Sequence, residues 1–301
     1  MKLIHLSSLV ILLVIGFSLT MCTLGNENTQ NTDNELKYAQ NEKSEIPFNL
    51  NKADLKIKLN NELQEVSALS YHENNKLACL HDENADIFMV DYQIEAISEK
   101  LEVAGNGDYE GIEIIDHTVY MLKSNGQLLK ISNFTDATWD ITELKTELSS
   151  RNDCEGLGYD PETKQLLIAC KENPNLKAGT NDYKGSRAIY EFDIITEKLN
   201  ITPKYLINLK EIEEKTGKKE FMPSGIATHP LTHNIYIVAS AGKLIIVLNR
   251  SGQIIDFEHL NPNKFQQPEG ICFSPDGRKL FISNEGKKKK ANILMFNALE
   301  N

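Results

Sequence analysis

Several chemistries are missing from this sequence. It has no Gly-x-Ser-x-Gly elbow, no His-Glu-x-x-His pair and no phosphate-binding glycine loop, which removes three common routes to hydrolysis and nucleotide binding. Positive charge is short as well. Lys and Arg number 32 against 43 Asp and Glu, a formal net charge of −11, and nucleic-acid phosphates would repel such a surface. Cysteine is sparse, five in all, with no Cys-x-x-Cys spacing and no histidine partner. Zinc and thiol catalysis are therefore poor readings of Cys79, Cys154, Cys170 and Cys272, which sit in apolar strand contexts. Cys154 and Cys170 fall near each other across one hairpin, and export would permit a disulfide between them. A simple register count places them on opposite faces of the sheet, so buried free thiols are expected.

A convincing membrane span is also lacking. Residues 9–19 are apolar but too short, and behind Met1 and Lys2 they read as the centre of an export signal. Leu19-Thr20-Met21-Cys22 resembles a bacterial lipobox, with Cys22 as the lipidated residue and Met21 where the pattern prefers a smaller one. The alternative is an ordinary secretory signal in which Cys22 is incidental. The Asn-, Thr-, Glu- and Gln-rich stretch that follows has almost nothing to bury and reads as a flexible tether. The expected organisation is a signal over 1–22, a tether over 23–47 and one domain over 48–301. Such a protein is exported and anchored to the cell envelope through a lipid, periplasmic or surface-facing, and monomeric.

What the sequence does have is a recurring phrase. Glu155-Gly156-Leu157-Gly158-Tyr159-Asp160-Pro161 returns as Glu269-Gly270-Ile271-Cys272-Phe273-Ser274-Pro275 and as Ser224-Gly225-Ile226-Ala227-Thr228-His229-Pro230. Looser copies start at Glu110 and Ser67. Each is followed by a polar turn and a second apolar run, and a repeat of about 45 residues made of strands and turns is the mark of a propeller with four-stranded blades. Five copies predict five blades, with six as the alternative. The last blade shows only three strands, while residues 53–60 supply a spare at the start, so this strand is expected to close the ring. Residues 209–217 are the clear helical stretch, ending near Gly217.

The motifs DYEGIEI, DCEGLGYDPET, FMPSGIATHPLT and QPEGICFSPDG, recurring in order, resemble the SdiA-regulated family of bacterial exported propellers. The resemblance covers residues from about 50 onward. It implies a five-bladed propeller tied to a cell envelope and holding calcium in the blade array, without a settled activity. Calcium-dependent lactonase propellers look related and supply an enzyme alternative, although their metal-binding asparagines on the inner strands have no counterpart here.

The repeat also yields a candidate site. The first strand of each blade lines the channel, so its opening residue sits at one rim: Ser67, Glu110, Glu155, Ser224 and Glu269. A small residue follows each, as expected where backbones crowd near an axis. Converging carboxylates need a cation or a raised pKa, and an all-oxygen ring suits Ca²⁺. The competing reading has each Glu capping backbone N–H groups or pairing with a lysine. The second strand ends on the same face, which adds Asp82, Glu83, Lys123, Lys171, Glu172, Ser240, Asn284 and Glu285 as a ligand-binding rim. The insertion after Lys171 and the helix are expected to wall a pocket over the metal. Lys287-Lys288-Lys289-Lys290 reads as a solvated loop able to attract an anion. These features predict a calcium-binding module for an unknown small molecule or envelope protein. The alternative is a calcium-dependent hydrolase in which Glu83, Glu172 or Glu285 acts as base.

Overall fold

The computed structural model describes residues 44–136, 138–177, 181–287 and 289–300. The export signal, the lipobox with Cys22 and the tether up to residue 43 lie outside the described residues. Among the described residues no helix is long and apolar enough to cross a membrane.

Short apolar runs separated by polar turns build five antiparallel sheets, one per sequence copy. The innermost strands are β2 (Val66–His72), β6 (Tyr109–Ile115), β10 (Cys154–Asp160), β15 (Met222–Thr228) and β19 (Pro268–Phe273). The chain is a five-bladed propeller. Strand β1 (Leu55–Lys58) pairs antiparallel with β21 (Asn292–Asn297), with Leu55 opposite Met295 and Lys58 opposite Asn292. The first strand thus completes the last blade and removes two open edges. The packed chain begins before this strand: Ile46 and Phe48, apolar residues after the polar run, are buried, and Phe48 bridges Ala298.

Five apolar clusters hold the ring, one at each blade-to-blade junction. Tyr120 and Leu122 of blade two meet Leu157 and Ile168 of blade three in one of them. Blade five meets blade one in another, where Phe281 and Ile293 pack against Leu69 and Phe88. A sheet buried on both faces reads as near-continuous apolar sequence in its middle strands, as in QLLIAC of β11 (Gln165–Cys170).

One expectation needs correction, and one strand is divided. The fourth strand of blade three is interrupted between residues 199 and 205. It divides into β13 (Lys198–Leu199) and β14 (Tyr205–Asn208), both paired with β12 (Ser186–Asp193), and Pro203 in the gap has no N–H for a ladder. Cys154 and Cys170 are buried free thiols, as expected, but they are not on opposite faces; they are direct register partners in one cluster. A β-bulge explains this, and it recurs in every blade.

The helix (α1, Leu209–Thr216) follows its sequence signals. The Asn208 side chain caps its first N–H groups, and Gly217 ends it with φ 72°.

Candidate cation site at the channel mouth

The register of each inner strand slips by one residue at the same place. Slips lie between Val66 and Ala68, Tyr109 and Gly111, Cys154 and Gly156, Pro223 and Gly225, and Pro268 and Ile271. Ser67, Glu110, Glu155 and Ser224 are the skipped residues in the first four blades, and Glu269 lies within the fifth slip. A bulge leaves its extra residue outside the ladder and re-aims its side chain. The bulge is the device that turns five repeat positions toward one mouth.

The glycine after each bulge has a packing reason. A Cβ on Gly225 would stand 2.2 Å from the Glu269 carbonyl oxygen, and one on Gly270 would stand 2.5 Å from the Leu69 nitrogen. Each time the obstruction is the inner strand of the next blade. Blade one carries Ala68 instead.

Ser67, Glu110, Glu155, Ser224 and Glu269 line one cavity of about 340 Å³, together with Glu65, Asp82, Lys171, Ser240, Gln267, Glu285 and Lys287. Six carboxylates face two ammonium groups there. Ser67 Oγ donates to the Tyr109 carbonyl and Ser224 Oγ to the Pro268 carbonyl, both at 2.7 Å. Those hydroxyls staple blade one to two and blade four to five, and keep lone pairs for a ligand.

The carboxylates are held against their ordinary chemistry. Burial, then the charges of Glu155, Asp108, Glu269 and Asp82, push Glu110 up to about 10. Burial, followed by Glu155, pushes Glu269 up to about 8. Glu155 is raised by burial despite a 2.7 Å bond from Lys171 Nζ. No hydrogen bond from a described residue reaches the Glu110 carboxylate.

At the edge of the cavity Glu65, His81 and Asp82 bring one nitrogen and two oxygens within 4.8 Å of one another. Asp82 Oδ1 is closed to solvent and has no hydrogen bond. It lies 3.3 Å from His81 Nδ1, whose lone pair accepts the Glu83 N–H at 3.2 Å. A positive charge is what that pair lacks.

The eight further rim residues divide. Asp82, Lys171, Ser240 and Glu285 line the cavity. Glu83 lines a separate hollow with Asp108, and Glu172 lines another with Arg151 and Arg187. Lys123 lies over the Tyr109 ring at 5.2 Å. Asn284 is buried and donates to Asn292 at 3.3 Å. The described part of the insertion after Lys171 walls that second hollow, of about 630 Å³, beside the mouth instead of over it. Arg187 holds it there by donating to the Glu172 and Phe221 carbonyls.

The pattern missed Glu65 and Gln267. They stand two residues before Ser67 and Glu269, just ahead of β2 and β19, where alternation along a strand gives no reading.

A family model described as SdiA-regulated matches residues 48–288. The chain belongs to the SdiA-regulated family. No curated protein matches this SdiA-regulated chain. Among solved structures it is similar to a luciferin-regenerating enzyme, with 11% identity and a TM-score of 0.48 over 81% of this chain and 95% of that one. It is also similar to a PQQ-bound aldose sugar dehydrogenase from Streptomyces coelicolor, with 14% identity and a TM-score of 0.47 over 82% and 97%. At that distance no activity carries over to the SdiA-regulated chain.

Proposed function

We propose that this SdiA-regulated propeller is a calcium-binding module of the bacterial cell envelope, anchored through Cys22, whose occupied mouth binds a small ligand or an envelope protein. The observation that carries the cation is the set of carboxylates of Glu110, half-buried, and of Glu155 and Glu269, both buried, turned by bulges into one cavity with Lys171 bonded to one of them. Ca²⁺ takes six to eight oxygens in flexible geometry, and Ser67, Ser224, Gln267 and Asp82 supply oxygens beside the three glutamates. The ion would neutralise charges that are otherwise removed by taking up protons.

Calcium bound to the folded ring alone raises stability by mass action, roughly 2.7 kcal/mol at 100 times its Kd. Melts of the purified protein across a Ca²⁺ titration, with chelator as reference, test this. Superimposable curves at every concentration would end the cation reading. The envelope location has a separate test. The Cys22→Ser variant should leave the membrane fraction, and retention there in detergent-free buffer would remove the anchor.

One observation keeps the hydrolase alternative alive: Glu285 lines the cavity and burial raises its pKa, as a general base requires. A screen of lactones, aryl esters and phosphoesters with and without chelator separates the readings. Turnover that chelator abolishes would replace binding by catalysis.

A further inference from the structure

Cys154 and Cys170 face each other in blade three. They are register partners on the antiparallel strands β10 and β11, and both are fully buried in the cluster between blades two and three. Lys171 N–H donates to the Asp153 carbonyl at 2.7 Å, while Cys154 N–H leaves the ladder for the Ser124 carbonyl of blade two. The cysteines therefore occupy a non-hydrogen-bonded position. There the Cα atoms of an antiparallel pair approach to about 4.5 Å, and the side chains are closer than elsewhere. Disulfides take Cα separations of about 4.4–6.8 Å. The Glu155 bulge produces the match, since it brings Cys154 to the same side as Leu157, three residues on.

We infer that Cys154 and Cys170 form a cross-strand disulfide when this chain meets an oxidising thiol–disulfide couple. The exchange is balanced. A Cys thiolate attacks a low-molecular-weight disulfide and releases one thiol. The second Cys then attacks the mixed disulfide and releases the other, so two protein thiols lose two hydrogens and one disulfide is reduced to two thiols. Full burial closes the folded state to this reaction, so it proceeds through folding or local opening. The bond would adjoin the cavity, whose lining includes the next residue after each cysteine. Glu155 follows Cys154 and Lys171 follows Cys170, and these two carry the 2.7 Å ion pair. The cross-link fixes the spacing of one wall of the mouth. This inference stands apart from the cation reading, because it needs only the register of two strands.

The test uses the full chain carrying Cys22→Ser, incubated with glutathione disulfide at a denaturant concentration just below its unfolding midpoint. Remaining thiols are alkylated in denaturant and the peptides are mapped without reduction. The expected result is a single linked pair, Cys154 with Cys170, and Cys79 and Cys272 alkylated. Reduction then lowers Tm by roughly 5–10 °C for a loop of this size. The Cys154→Val variant should show no link and no effect of reductant. Four alkylated cysteines overturn the inference. So does a link between Cys79 and Cys272, which share the junction of blades five and one.

Discussion

The two ends of the channel carry glutamates from the same strand in opposite situations. Glu110 and Glu113 both lie on β6, and burial is the first cause of a raised pKa in both, about 10 for Glu110 and about 8 for Glu113. At the far end Glu113 is engaged on both oxygens. Oε1 accepts the Tyr159 N–H of blade three and Oε2 accepts the Ser70 hydroxyl of blade one, each at 3.1 Å. Ser70 Oγ in turn accepts the Ile114 N–H at 3.1 Å. That carboxylate ties three blades together. At the near end the Glu110 carboxylate takes no such bond and faces other acids. A raised pKa marks both residues, and only the hydrogen-bond accounting tells structural glue from a ligand site.

The largest effect should come from breaking the far end. Glu113→Ala leaves the Tyr159 N–H and the Ser70 hydroxyl without their acceptor and should destabilise by about 2–4 kcal/mol. Chemical denaturation in Ca²⁺ and in chelator should give the same loss, since Glu113 does not line the cavity at the mouth and both its oxygens already accept hydrogen bonds. An unchanged midpoint would show that Glu113 is no tie, and the contrast between the ends would fail.

Glu269→Gln is the matching change at the near end, and its effect should depend on calcium. In chelator burial and Glu155 already hold Glu269 in its neutral form near pH 7, so the uncharged Gln should leave stability nearly unchanged. In saturating Ca²⁺ it removes a charged ligand and should cost about 1–3 kcal/mol. A loss of equal size in both conditions would mark Glu269 as another structural carboxylate.

The pH response sharpens the same contrast. The folded-state pKa values of Glu110, Glu113 and Glu269 all lie above the ordinary carboxylate value of 4.5. The folded protein thus holds protons that the unfolded chain has released. Stability from this source is complete below pH 4.5 and falls as pH rises through about 8 and on toward 10. In chelator, melts should weaken between pH 5 and 8. Calcium should flatten the share from Glu110 and Glu269 and leave that from Glu113. A chelated protein that gains stability across this window would contradict the assignment.

The sequence made the ring readable because each copy keeps its own punctuation. The residue at 67, 110, 155, 224 or 269, the small residue after it, and the Pro turn that ends three of the copies mark blade, rim and turn together. The spare strand was countable too, and β1 closes blade five. The faces of the inner strands were harder to read. Strict alternation fails across a bulge, so the count that set Cys154 and Cys170 apart was one residue off. Glu113 was passed over because its partners, Ser70 and Tyr159, come from two other copies. Its role exists only once three blades meet. The insertion after Lys171 gave no periodic signal, and its placement depends on Arg187 reaching the Glu172 and Phe221 carbonyls.

The subtlest test concerns the cation already in the mouth. Lys171 Nζ lies 2.7 Å from Glu155 and 3.7 Å from Asp153. Burial works against its charge, yet the Glu155 bond wins and its pKa is raised. Calcium drawing on Glu155 must compete with that ammonium. Lys171→Met keeps the apolar stem and removes the charge. In calcium titrations followed by calorimetry the variant should bind more tightly, by about tenfold or less, because a surface-connected pair contributes about 1 kcal/mol. Without calcium the same change leaves Glu155 and Asp153 uncompensated, so the chelated variant should melt lower than wild type. The two signs together identify a lysine that stands in for the metal. Weaker calcium binding by Lys171→Met would mean that the lysine organises the carboxylates for the ion instead of competing with it.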